Sequence, residues 1–456
     1  MPRSKKPAAP PSELATAFEE RPAGHLHSFG LIRTFVVMVR SAIGYRAAAR
    51  AIEIVAPLLP GGSGCSANGG QLWLLRLGLY ELLRPKEQAE DWVWMIDHTI
   101  QTGDGKCFAV VGVRWSAWQE KREAALAADP ASSFALAHED LSVFAIEHMA
   151  SSTGEAVHQQ LERLVAETGI TPCCILSDQG ADVRGAGERF RQSGDRATVL
   201  VYDIAHAVAN ALKRQLNKNP QWEAFLADAN RCKTAIRQTP YAFLMPPELK
   251  NKARWMNLDA LIGWSCRVRE FLHDPRAALS RAQAPADLET LEQKMGWLRR
   301  HEESIARWSA MMEAAAITLK YVRNQGYHEG AHRELSSLLT AFREGPAEAM
   351  VTEVLEFVRV QCERCGTRRL PGSTEVLESL IGKGKQLMGR NRNGYTKTVL
   401  AMATATTKIT TDTIRAALDQ VKVKDLRQWV RKKLGISLQS QRQRALPTLA
   451  CGTKLG

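Results

Sequence analysis

Three acidic residues set the chemistry this chain has to explain. Asp97 closes the run DWVWMID (residues 91–97), Asp178 closes CCILSD (173–178), and Glu378 lies in STEVLESLIGKGK (373–385). The first two stretches are short apolar runs bounded by polar residues, the pattern of buried strands. The third has helical spacing, with acids first and bases after. A carboxylate at the end of a buried strand packs poorly and needs a partner or a cation. Two such acids on strand ends and one on a distant helix are the parts of a site in which two divalent ions, about 4 Å apart, act on a phosphodiester. Such ions take oxygen ligands, so Mg2+ suits the set and Mn2+ is also accepted. Asp97, Asp178 and one of the acids of the late helix, Glu375 or Glu378, are the expected catalytic and metal-holding residues.

Each acid has neighbours to weigh. Asp182 lies four residues past Asp178, on an expected helix. Glu375 shares a helix face with Glu378, so periodicity cannot separate the two. A third apolar run, VLVYDIAH (199–206), ends on Asp203 and is followed by His206 in the first turn of the next helix. His206 reads either as an accessory catalytic group or as a buried histidine satisfied by hydrogen bonding.

This constellation resembles the DDE transposases of bacterial insertion sequences. Asp97 and Asp178 match the first two motif positions. Glu378 matches the third, because Glu378 and Lys385 make the E-x6-K spacing seen in many of these families. Asp203 and His206 resemble the D-x2-H element that several of them carry. Pro371 and Thr374 stand where one subgroup has Tyr and Arg. The resemblance covers residues 25 to 435 and implies a ribonuclease-H-like fold. It further implies a DNA transposase that binds terminal inverted repeats, cuts the ends and joins them to target DNA. Asp203, His206 and Lys385 become accessory residues, and a homodimer or higher assembly on DNA in the bacterial cytoplasm, at the nucleoid, is implied. Two alternatives share these parts: a domesticated, inactive transposase that only binds DNA, and a structure-specific nuclease.

Bulk properties agree with a nucleic-acid partner. The 456 residues carry a net charge of +13, which favours a polyanion. No apolar run approaches the roughly 20 residues of a membrane span, so no membrane partner is expected. The basic, Pro-rich start has no apolar segment behind it and is not a secretory signal. Nine scattered cysteines suit a reducing compartment. Cys362 and Cys365 form a lone C-x2-C, read as ordinary thiols more readily than as a zinc site.

The elements that must position these groups follow from pattern. The fold class expected is α/β: a ribonuclease-H-like mixed sheet with a large all-helical insertion and an N-terminal helix-turn-helix-type domain. Residues 1–24 read as a disordered basic arm. Residues 25–90 read as a helix-turn-helix reader of DNA, with a helical bundle that packs onto the core as the alternative. In the reader, Arg46 and Arg50 share one face, and the segment from Ser66 to Arg76 enters the groove with Gln71 and Arg76 as its DNA contacts, and with Asn68 beside them. Residues 91–217 form the first part of the catalytic core, with strands ending at Asp97, Asp178 and Asp203 and a Gly-Asp-Gly hairpin after the first. Residues 120–130 read as a loop or short helix. Residues 218–370 form the helical insertion, whose scattered tryptophans read as core. Residues 371–435 return to the catalytic core, and 436–456 form a tail.

Overall fold

The structure is a computed structural model that describes residues 16–59, 62–102, 105–149, 152–194, 196–248, 255, 257–391, 395–433 and 438–446. In chain order it begins with α1 (Phe29–Arg40), α2 (Tyr45–Val55) and α3 (Ala67–Leu83). Then come β1 (Trp92–Thr102), β2 (Gly105–Arg114), α4 (Trp115–Ala128), β3 (Ser142–Met149), α5 (Gly154–Thr168), β4 (Cys174–Ser177) and α6 (Ala181–Ser193). A second run holds β5 (Val199–Tyr202), α7 (Ile204–Leu216), α8 (Pro220–Ile236), α9 (Asp259–His273), α10 (Pro275–Arg281), α11 (Leu288–Met295), α12 (Glu302–Gln325), α13 (Ala331–Leu338) and α14 (Glu348–Cys365). The chain closes with α15 (Glu375–Asn391), α16 (Tyr395–Ala403), α17 (Thr411–Gln420), α18 (Val423–Lys433) and α19 (Leu438–Ala445).

The fold is mixed α/β, 66% helical, with one five-stranded mixed sheet in the order β3-β2-β1-β4-β5. It divides into two compact units, one spanning Met1–Glu120, Leu136–Thr198 and Thr374–Gly456, the other Lys121–Ala135 and Val199–Ser373. Among the described residues, no helix is long and apolar enough to cross a membrane.

In the first unit, β1 and β2 pair antiparallel from Trp92↔Arg114 to Thr102↔Gly105, and β2 pairs antiparallel with β3. Residues 103 and 104 of the expected Gly-Asp-Gly turn lie outside the described residues. β4 joins β1 in parallel, from Val93↔Cys174 to Ile96↔Ser177. The parallel pair needs a crossover, and α5 supplies it. Thr153 starts that helix by accepting the Ala156 N–H, and Gly169, at φ +70°, ends it in the left-handed conformation that favours glycine. β1 continues five residues beyond Asp97, so Asp97 sits within the strand rather than at its end. The segment expected as a loop or short helix is α4, which begins directly after β2.

The N-terminal helices have no core of their own. Phe35, Trp73, Leu74 and Leu77 from α1 and α3 share one apolar cluster with Ala401, Ile414 and Leu418 from α16 and α17. α3 is apolar around nearly its whole circumference, and a helix of that kind is buried on all sides. At Gly78 the α3 backbone approaches so closely that a Cβ would lie 2.0 Å from the Leu400 carbonyl oxygen. Arg40, at the end of α1, donates to the carbonyls of Thr407 (2.7 Å) and Ala405 (3.0 Å). The described end of the expected arm is packed as well: Ala17 is buried, and the Phe18 ring covers Gly30. Residues 1–15 lie outside the described residues.

The second unit holds β5, helices α7 to α14 and the part of α4 from Lys121 onward. Its core is aromatic: Trp222 meets Trp308 edge-on at 4.9 Å, and Phe225 packs against Trp297 and Trp308. The Trp222, Trp264 and Trp308 side chains are core groups, as their spacing in apolar helices implies. Cys362 and Cys365 lie buried near the end of α14. Burial pushes both thiols up, Cys365 to about 12, so they are neutral thiols at neutral pH.

Candidate active site

The parallel ladder is what aligns the first two acids. Its last pair is Ile96↔Ser177, so Asp97 and Asp178 are the next residues on adjacent segments, at the carboxyl end of the β1–β4 pair. Ligand-binding groups of α/β sheets gather at such ends. Asp97 stands opposite Ala109 on β2, a small residue. Asp91, at the start of the same strand, has a structural role: its carboxylate accepts from the Ser116 N–H (3.0 Å) and hydroxyl (2.6 Å) and pairs with Arg114.

Asp178 begins a tight turn into α6. Its Oδ1 accepts the Gly180 N–H at 3.0 Å, and no other hydrogen bond to this carboxylate comes from the described residues. Asp182, in the first turn of α6, accepts the Val183 N–H on Oδ1 at 3.0 Å. Its Oδ2 faces His98 Nδ1 at 3.4 Å. Of these two acids, Asp182 has both oxygens engaged and Asp178 keeps one open. Both lie by the positive end of a helix, where carboxylates are favoured.

His98 was not singled out by sequence pattern, and its signal was only its place after Asp97. Its side chain is 8% exposed, its ring lies 5.3 Å from that of Phe108, and its Nε2 is buried without a hydrogen-bond partner. Burial lowers its pKa, Asp182 opposes that, Lys106 adds to it and Asp178 opposes it again. The ring is neutral at neutral pH.

Glu378 lies in the first turn of α15, where its N–H donates to the Thr374 carbonyl at 3.1 Å. α15 packs against β1, the strand that carries Asp97. It buries Leu377, Leu380 and Ile381, while Glu375 and Glu378 are both half-buried. Lys385 is exposed, and at seven residues beyond Glu378 it falls on the same flank, about two turns on. Asp97, Asp178 and Glu378 are not gathered into a single donor set within 4.8 Å. One ion would need that closeness.

Asp203 and His206 lie in the second unit. Asp203 is 0% exposed and caps α7, accepting the His206 N–H at 2.8 Å. The His206 Nδ1 lies 2.9 Å from the same oxygen, Oδ2. That contact orients the ring, as a carboxylate does for a working imidazole. The pair is therefore built, and His206 is half-buried rather than enclosed.

Two of the expected DNA contacts are not on the surface. Arg76 is 6% exposed and donates to the carbonyls of Val421 (2.6 Å) and Leu418 (2.5 Å), with His25 Nε2 3.3 Å away. Gln71, on the same helix, is buried as well. The burial that makes α3 the centre of the helical core removes them from any groove. Arg46 and Arg50 are exposed on α2, and Asn68 is exposed near the start of α3.

Neither a known protein-family model nor a curated protein matches this chain. Its own residues carry the functional reading.

Proposed function

We propose that the protein is a DNA transposase that binds terminal inverted repeats and carries out metal-dependent cleavage and strand transfer. The observation that carries this reading is the β1–β4 register, which sets Asp97 beside Asp178, with the Glu378 helix packed on the same strand. The strand order and the mixture of antiparallel and parallel pairs support the finer reading of the sheet as ribonuclease-H-like.

The residues fit a pair of hard divalent ions. The donors are carboxylate oxygens, Asp178 keeps an open Oδ2, and a side chain at Gly180 would crowd both Asp178 and Asp182. Asp97, Asp178 and Glu378 would hold Mg2+ or Mn2+. Bound there, the ions activate an oxygen nucleophile and relieve charge on the leaving oxygen. The chain's own part is to fix the carboxylates on a rigid sheet and helix. In this reading Lys385 meets a phosphate of the DNA backbone, and Arg46 and Arg50 meet the duplex; the exposure of all three supports it. Target DNA and a second copy of the chain complete the assembly in this reading, which is that of a bacterial cytoplasmic, nucleoid-bound enzyme.

The test is cleavage and joining of a duplex that carries the element's own ends, in Mg2+ and in Mn2+. Asp97→Asn or Asp178→Asn should abolish both products and leave end binding nearly intact, because the amide keeps the shape and loses the charge. Several kcal/mol of transition-state stabilisation correspond to more than about 100-fold in rate. Cleavage without joined products would leave a nuclease, and wild-type binding without cleavage an inactive DNA-binding relative. Either variant cutting at the wild-type rate removes that residue from the site.

A further inference from the structure

Two carboxylates flank one glycine at the turn into α6. A Cβ on Gly180 would lie 2.9 Å from Asp182 Oδ1 and 3.0 Å from Asp178 Oδ1. Like charges this close repel, and contacts that hold one of them away from the other favour the turn. Asp178 is tied at one oxygen, by the Gly180 N–H, and Asp182 at both, by the Val183 N–H on one and the His98 imidazole facing the other. We propose that His98 and Asp182 form a positioning pair that holds the Asp178 turn in its ion-binding shape. This rests on reading Asp178 as a metal ligand.

The environment of His98 argues that it is kept for position rather than stability. The side chain is nine-tenths buried on β1, and with Nδ1 turned to Asp182 its Nε2 has no partner. A buried polar atom left unsatisfied costs about 1–3 kcal/mol. A leucine could cover Phe108 without that cost. A residue that weakens the fold while orienting a neighbour of a ligand is the pattern of a functional compromise. Outer partners of this kind typically change ion affinity by roughly 10–100-fold when removed.

The experiment uses the full chain, with Mn2+ and Mg2+ binding followed by titration calorimetry and stability by thermal melts without added metal. His98→Leu should weaken ion binding roughly tenfold or more while melting at or above the wild-type temperature. His98→Asn, which keeps a donor near the place of Nδ1, should restore most of the affinity. Asp178→Asn is the control that removes the ligand itself. If His98→Leu binds ions as the wild type does while Asp178→Asn does not, the pair has no positioning role and the metal reading survives. If His98→Leu lowers the melting temperature and His98→Asn fails to restore affinity, His98 is only a packing residue and the inference is overturned. If Asp178→Asn leaves ion binding unchanged, the metal reading falls and the inference falls with it.

Discussion

Arg76→Ala separates a structural arginine from a DNA-reading one. In the structure Arg76 sends Nε to the Val421 carbonyl and Nη2 to the Leu418 carbonyl. Leu418 is in the last turn of α17 and Val421 is its C-cap, where carbonyls lack partners within the helix. A hydrogen bond from a charged donor contributes about 1.5–3 kcal/mol. Leu418 keeps a second donor, Lys422 Nζ at 3.2 Å, so its loss is partial. The two terms together give roughly 3 kcal/mol. Burial also lowers the Arg76 pKa, and relief of that desolvation offsets part of the loss. In a unit of this size, roughly 3 kcal/mol lowers Tm by about 6–12 °C. The assay pairs a thermal melt with fluorescence anisotropy on end DNA, the latter run well below the melt. Arg76→Ala should lower Tm and leave DNA affinity nearly unchanged. The double variant Arg46→Ala, Arg50→Ala should do the opposite, because both side chains are exposed and phosphate contacts carry the salt dependence. A variant at Arg76 that melts with the wild type and loses DNA binding would refute the structural assignment.

Glu378→Gln should eliminate cleavage and strand transfer while Glu375→Gln leaves much of both; the reverse result in a gel assay would move the third acid one helical turn. Gly78→Ala should destabilise despite the higher helix propensity of alanine, worth about 1 kcal/mol. The added methyl meets the Leu400 carbonyl, and overpacking costs about 1–3 kcal/mol or more, so a raised Tm would contradict the close crossing. Arg196 grips both oxygens of Glu162 (2.7 and 2.8 Å) and holds its pKa down to about 2. A depressed carboxylate stabilises the fold above its ordinary value, near 4.5, and loses that effect as pH falls toward 2. The side chain is a third exposed, so the contribution is about 1 kcal/mol. The stability gap between wild type and Arg196→Ala, read by circular dichroism, should be constant above pH 4.5 and narrow below it to the part held by the Phe190 carbonyl and ring; a gap that widens on acidification would be inconsistent with the pair.

Local pattern determined the strands and helices themselves. The apolar runs before Asp97, Asp178 and Asp203 are β1, β4 and β5, Thr153 caps its helix, and the acids of residues 373–385 open α15. These outcomes depend on propensity and capping within a few residues, so they can be read along the chain. Tertiary structure decided which side chains are available. Arg76 and Gln71 look like groove contacts in isolation, yet both are buried, and the carbonyls that hold Arg76 lie about 345 positions away in the chain. Register is likewise a long-range matter: the pairing of Ile96 with Ser177 sets Asp97 beside Asp178, and no local rule specifies it. The choice between Asp178 and Asp182 needed the same information, because only the approach of His98 from another strand shows which carboxylate is already engaged.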